Sequence, residues 1–95
     1  MIPNEFTIGR NYPNPFNPTT RIDYGLPEES MVDITIYDMM GRLVSKLVKS
    51  RLGAGYHSVT WDATNNAGDP VSAGMYFYTV QAGEYRVTNK MLLLK

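Results

Sequence analysis

Apolar and polar residues alternate along much of this chain. Ile22, Tyr24 and Leu26 are interleaved with Arg21, Asp23 and Gly25, the two-residue period of a strand with one buried face. Val32, Ile34 and Ile36 against Asp33, Thr35 and Tyr37 form the cleanest run of this kind. Asp38-Met39-Met40-Gly41 interrupts it, because glycine is free to take the positive φ of a tight turn. Arg42–Val48 reads as the returning strand, so Met31–Val48 is a predicted hairpin. Pro27-Glu28-Glu29-Ser30 is a polar turn, and Lys49–Gly55, with its two glycines, a predicted loop. Tyr56–Trp61 is a strand with Val59 and Trp61 on one face, followed by a turn-rich loop over Asp62–Pro70. In Gly74–Ala82, Tyr76, Tyr78 and Val80 share one face and Phe77 and Thr79 the other. Ala82-Gly83-Glu84 is a short hairpin turn. Tyr85–Lys95 is a last strand, with Val87, Met91 and Leu93 on one face and Asn89 in line with them. No segment has convincing helical periodicity.

With a short strand near Phe6–Ile8, the pattern predicts an all-β fold, a sandwich of about seven antiparallel strands. Val32, Ile34, Ile36, Val59, Trp61, Tyr76 and Tyr78 are its expected core, built around the single tryptophan. The most distinctive local feature is Asn11-Tyr12-Pro13-Asn14-Pro15-Phe16-Asn17-Pro18, which holds three of the six prolines. Each proline lacks an N–H and pushes the preceding residue out of the helical region, so the segment runs extended without a full hydrogen-bond ladder. Tyr12 and Phe16 give it something to bury. It reads as a cover for an open sheet edge, with both aromatics plugging the core, or as a recognition epitope that includes Tyr12, Pro13 and Pro15.

Composition removes many functions. A chain of 95 residues suits one domain over 1–95, with 1–10 as a lead-in or first strand. Basic and acidic residues number 9 each, which argues against nucleic acid or an anionic membrane as the main partner. There is no cysteine for a disulfide, a thiol nucleophile or a thiolate metal site. The longest apolar run, Met91–Leu94, is far too short to span a membrane. The first residues have neither the basic start nor the apolar stretch of a signal peptide, so any export signal is expected outside this sequence.

The candidates for chemistry are few. His57 is the only histidine, and its sequence neighbour Ser58 projects from the opposite face of the strand, so no nucleophile–base pair is expected. Asp62, Asn65, Asn66 and Asp69 offer oxygens, but their spacing lacks the closing glutamate of a twelve-residue calcium loop. Such residues are ordinary turn formers. Asp38 and Arg42 read as residues that pin the hairpin turn. No catalytic residue, metal or cofactor is expected. An aromatic row over Tyr76, Phe77 and Tyr78 would suit sugar stacking if exposed; packing of both tyrosines in the sandwich is the plainer expectation.

Tyr12-Pro13-Asn14-Pro15-Phe16-Asn17-Pro18, Ile22-x-Tyr24-x-Leu26-Pro27 and Val32-x-Ile34-x-Ile36-Tyr37-Asp38-x-x-Gly41-Arg42-x-Val44 occur in that order. Ala54-Gly55-Tyr56-His57-x-Val59-x-Trp61-Asp62, Gly68, Gly74-Met75-Tyr76-Phe77-Tyr78 and Lys90–Lys95 follow. The series resembles the C-terminal sorting domain of the type IX (Por) secretion system over residues 11–95. It is also similar to the immunoglobulin-like domain of the flagellar hook-capping protein. The resemblance implies an immunoglobulin-like sandwich ending an exported multidomain protein of a Bacteroidetes-type bacterium. Its implied partners are an upstream cargo domain of the same chain, the outer-membrane secretion machinery and a sortase-like protease. Its implied destination is the cell surface or the medium. Carried over by position, the recognition candidates are Gly74, Tyr76 and Lys90–Lys95, with Lys95 as the expected end of the protein. The competing readings are a carbohydrate-binding module of a secreted glycoside hydrolase and a spacer or assembly domain of hook-capping type.

Overall fold

The alternating segments fold as strands whose apolar faces meet. The computed structural model describes residues 2–94. Its strands are β1 Thr7–Ile8, β2 Thr20–Leu26, β3 Ser30–Asp38, β4 Leu43–Leu52, β5 Gly55–Trp61, β6 Gly74–Ala82 and β7 Tyr85–Leu93. They form a three-stranded sheet in the order β1-β2-β5 and a four-stranded sheet in the order β4-β3-β6-β7, with every strand pairing antiparallel. The predicted all-β sandwich of seven strands is the fold. No helix occurs among the described residues.

Ile22 and Leu26 from β2 face Val32, Ile34 and Ile36 from β3, with Tyr78, Val80, Met91 and Leu93 beside them. All of these side chains are essentially removed from water. Each large aliphatic buried in this way contributes about 1.5–3 kcal/mol, so the period-2 pattern is also the main stabilising term. The β3–β4 register shifts between Ile34 and Thr35 and again between Ile36 and Tyr37. These irregularities admit Leu47 and Val44 as extra residues of β4, and such insertions bend an edge strand.

Two expectations need correction. Lys49–Leu52 is not loop: β4 runs on to Leu52, whose partner is Ser30, and only Gly53-Ala54 connects it to β5. The strand is masked in sequence because an edge strand with a solvated face tolerates a polar run such as Lys49-Ser50-Arg51. Val59 is only half-buried, because β5 ends its sheet and Val59 has a cross-strand neighbour, Ile22, on one side only.

The lead-in before β1 docks on the outside of the three-stranded sheet. Pro3 is buried there over Gly25. A Cβ at position 25 would sit 2.6 Å from Thr7 Oγ1, 3.0 Å from Pro3 Cγ and 3.2 Å from Tyr56 Cδ1. Gly25 is thus the slot that lets β1 and Pro3 approach β2. Gly25→Ala is expected to lift the lead-in off the sheet and lower stability by about 1–3 kcal/mol. Chemical denaturation reads the loss, and faster proteolysis before Thr7 reads the undocking. An unchanged midpoint with unchanged cleavage would contradict the close approach.

Candidate functional site

The proline-rich segment reaches across the sandwich from one sheet to the other. Its first contact is with β2: Tyr12 N–H donates to Arg21 O and Arg21 N–H to Tyr12 O, each at 2.9 Å. Its second is with the outer edge of β7. Phe16 N–H donates to Leu92 O at 3.0 Å, and Leu94 N–H to Phe16 O at 2.9 Å. Asn14 Oδ1 adds a third clasp by accepting Leu92 N–H at 3.1 Å. The prolines leave few backbone donors in this stretch, and those of Asn11, Tyr12 and Phe16 are spent on the two sheets. The expected edge cover is therefore present, over the end of β7.

Of the two aromatics, Phe16 is the plug and Tyr12 is not. Phe16 is buried, whereas Tyr12 is 76% exposed, which corrects the expectation for Tyr12. Pairing through its backbone to Arg21 turns the Tyr12 side chain to solvent, as Arg21 itself is turned. The side chain that enters the core near this point is Asn11. Its backbone N–H donates to Tyr78 Oη at 3.1 Å, and its Nδ2 donates to Thr20 Oγ1 at 3.1 Å. Thr20 Oγ1 in turn donates to Pro13 O at 2.8 Å, and Asn89 Nδ2 donates to Tyr78 Oη at 3.3 Å. Sequence reading missed Asn11, Asn14 and Thr20. A signal existed for Asn14 alone, in its pairing with Pro15, where a polar side chain stands beside a residue that has no N–H of its own; Asn11 and Thr20 carry none.

Phe16 meets Trp61 with ring centroids 5.7 Å apart, and Trp61 meets Tyr76 edge-on at 5.3 Å. The proline segment, β5 and β6 are thus held by one aromatic trio. Trp61 Nε1–H donates to Thr64 O at 2.8 Å, which satisfies the buried indole. Tyr76 is also buried, and its hydroxyl donates to Ser72 O at 2.6 Å, tying down the loop before β6. Burial pushes the Tyr76 phenol up from its ordinary value, and the charge of nearby Asp38 adds to the shift.

The sequence candidates converge on this end of the sandwich. Gly74 pairs with Leu93 and Tyr76 with Met91, while Lys90, exposed, pairs with Phe77. Phe16 bridges Leu93 from the other side. Pro15 is exposed between the two residues that clasp β7, whereas Pro13, also exposed, is held on the β2 side by Thr20. Lys95 lies outside the described residues. Beside Gly74 and Tyr76 opens a cleft of about 400 Å³, lined by Asp38, Met39, Met40, Arg42 and Val71–Met75. Met39 and Met40 stand exposed at its rim. A larger depression of about 510 Å³ lies at the opposite end, around the stacked Phe6 and Tyr85, and includes none of the candidates.

Asp38 and Arg42 pin the β3–β4 turn as expected. Asp38 Oδ1 accepts the N–H groups of Met40 and Arg42, each at 2.9 Å, and Oδ2 accepts Arg42 Nε–H at 2.9 Å. Gly41 closes the turn at a φ of 80°. His57 is held at Gly53 O, 2.8 Å from Nε2, and stacks on Tyr24 at 5.5 Å. Asn65 Oδ1 accepts the N–H groups of Ala67 and Asp69, each at 3.0 Å, so it is spent inside its own loop. Tyr76 and Tyr78 are both buried, which leaves no three-ring row over residues 76–78 for a sugar.

Two outcomes test this geometry. Phe16→Ala should cost about 3–5 kcal/mol, as for other buried aromatics. It should also raise hydrogen exchange at the Leu94 amide, whose acceptor is Phe16 O; retained protection would dissociate the plug from the clasp. Asp38 gives a pH signature. The backbone N–H of Arg42, with Met40 N–H and the Arg42 guanidinium, holds its carboxyl below the ordinary 3.8. A depressed carboxyl stabilises the fold above its unfolded value and loses that contribution as pH falls through the folded value. The melting temperature should therefore fall more steeply below pH 3.8 in the parent than in Asp38→Asn. Parallel curves would show that the turn does not depend on this charge.

The fold matches known structures. It is similar to dimeric latent PorU from Porphyromonas gingivalis, with TM-score 0.72 and 20% identity over 95% of this chain and 9% of that one. It is similar to PorZ of the same organism, described as an essential bacterial surface component of the type-IX secretion system. There the TM-score is 0.61, with 19% identity over 97% of this chain and 12% of PorZ. FlgD from P. aeruginosa gives 0.60 and 25% identity over 78% of this chain and 57% of FlgD. The chain thus spans a small part of PorU and PorZ and just over half of that FlgD chain. The likeness to PorU and PorZ shows the fold alone. No curated protein matches the sequence. The family profile of the FlgD Ig-like domain matches residues 14–86, more than three-quarters of the chain, which takes in β2 to β6 and the first two residues of β7. This chain belongs to the FlgD Ig-like domain family.

Proposed function

We propose that this domain is a non-catalytic C-terminal sorting module that directs an exported multidomain protein through the type IX secretion system. The observation that carries the reading is the likeness in fold to PorZ. Nearly the whole of this chain overlays a small fraction of a surface component of that system. The ordered motifs from Tyr12 to Lys90–Lys95 support it, as does the meeting of Gly74 and Tyr76 with the clasp residue Phe16, which follows Pro15, around the end of β7. In this reading the folded sandwich presents the end of β7 and its proline clasp to the outer-membrane machinery. A sortase-like protease acts after export, and the cargo lies upstream. A second reading is favoured by the family match itself: an assembly domain of hook-capping type.

Export decides between them. Fused behind a reporter that carries an ordinary signal peptide, the domain should bring the reporter across the outer membrane of a type IX-competent host. Deleting Lys90–Lys95 should abolish export but would also strip part of β7 from the core. Lys90→Ala is the cleaner variant. Lys90 is exposed and has no ion pair among the described residues, so the melting temperature should stay nearly unchanged while export falls. A folded fusion that stays in the periplasm would refute the sorting role and leave the assembly reading.

A further inference from the structure

We propose that the outer face of the four-stranded sheet is a binding face for an anionic polysaccharide. The chain is neutral as a whole, but folding separates its charges. Strands β3, β4, β6 and β7 carry five basic residues, Lys46, Lys49, Arg51, Arg86 and Lys90, and only two acidic ones, Asp33 and Asp38. Val32, Ile34 and Ile36 are buried, so Asp33, Thr35 and Tyr37 point outward. Register then puts all five cations on that same outer face. Lys49 and Arg86 stand in the row of Asp33 and Gln81, Lys46 in the row of Thr35, Thr79 and Thr88, Lys90 in the row of Tyr37 and Phe77, and Arg51 beside Met31.

The cations occupy the two outer strands and leave the middle of the face uncharged but for Asp33. At ~4.8 Å per strand, the two basic margins are about 14 Å apart. Asp33 is engaged by Lys46 at 3.8 Å, and Arg51 pairs with Glu29. Lys49, Arg86 and Lys90 have no acidic partner among the described residues. Between the margins lie the exposed hydroxyl of Thr88 and the exposed amide of Gln81, while Thr35 and Thr79 are buried, the Thr79 hydroxyl 3.1 Å from that of Thr88. Next to these, Tyr37 and Phe77 are directly opposite in register, and both are half-exposed.

This arrangement selects among anionic partners. The face of a sheet offers side chains only, because the backbone groups of β3 and β6 are used within the ladders on both sides. An acidic peptide would bind more naturally along a sheet edge, where its own backbone could pair. A sugar polymer needs what the face does offer: hydroxyl and amide partners, apolar ring surface, and cations for its carboxylates or phosphates. A lipid surface would call for protruding apolar groups, whereas these rings lie half-sunk in the sheet.

Affinity electrophoresis and calorimetry of the chain against polygalacturonate test the inference, with neutral dextran, poly-glutamate and single-stranded oligonucleotide as comparisons. Polygalacturonate should bind more tightly than the other three. Lys49→Glu combined with Arg86→Glu should weaken it at least about tenfold, since both side chains are exposed and unpaired. Phe77→Ala, checked for an intact melting transition, should weaken it several-fold, and Tyr37→Ser serves if Phe77→Ala unfolds. Arg21→Glu, on the outer face of the other sheet, should change nothing. Absence of binding to polygalacturonate, equal binding of poly-glutamate or of the oligonucleotide, or insensitivity to the aromatic variants would each overturn the proposal.

Discussion

The structure depends on one joint, the packing of Phe16 against Trp61. A sandwich of two small sheets has two open seams, and strand order alone does not close them. Here the segment from Asn11 to Phe16 leaves β2 by backbone pairing at Tyr12 and reaches the edge of β7 by backbone pairing at Phe16. The Phe16 ring then inserts beside the indole that β5 supplies and that Tyr76 of β6 also touches. Both sheets and the edge cover thereby share one buried contact. The edge of β7 near Leu92–Leu94 would otherwise present unpaired N–H and C=O groups, which is a template for unwanted strand pairing. The aromatic plug and the edge protection are two consequences of the same few residues.

That joint also explains why the recognition candidates gather. Gly74 and Leu93 are paired because β6 and β7 form a tight hairpin, and the two-residue turn at Gly83-Glu84 fixes their register some nine residues away. The proline clasp then lies against the far side of Leu93. Residues spread from position 14 to position 93 are neighbours through three local devices: a turn, a ladder and a plug. Tyr76 contributes from beneath, through its ring on Trp61 and its hydroxyl on Ser72, so its effect on any outer surface passes through the shape of the loop before β6.

Much of this was legible in the sequence, and the exceptions have physical causes. The alternation at Ile22–Leu26, Val32–Ile36 and Tyr76–Val80 located three strands and their inward faces because those strands bury one face fully. The pattern over Gly74–Ala82 matches the bounds of β6. The sequence pattern ends β4 at Val48 because Lys49-Ser50-Arg51 carries no period, and an edge strand that is bulged twice does not need one. Tyr12 and Phe16 looked alike because composition does not say which aromatic of an extended segment faces in. Backbone pairing to Arg21 and to Leu92 decided that, and both partners are distant in sequence. The adjacency of Tyr37 and Phe77 was invisible for the same reason: forty residues separate them, and only the β3–β6 register joins them.

Charge shows how folding can create a property that composition denies. Turns favour acids because a carboxylate can accept the backbone N–H groups that a reversal leaves free; Asp38 does this at the β3–β4 turn. Glu28 and Glu29 lie in the β2–β3 turn, Glu84 in the β6–β7 turn, and Asp62 and Asp69 in the β5–β6 connection. Edge strands favour lysine and arginine because a long charged side chain discourages another strand from pairing there. The two preferences together gather acids in the turns, where Arg42 is held by Asp38, and leave β4 and β7 without an acid. Edge protection accounts for cations on β4 and β7, and the packed core behind those strands leaves only the outer face for a charge. Edge protection calls for no half-exposed ring pair between the two basic margins, and Tyr37 opposite Phe77 is the physical ground for assigning the face a partner.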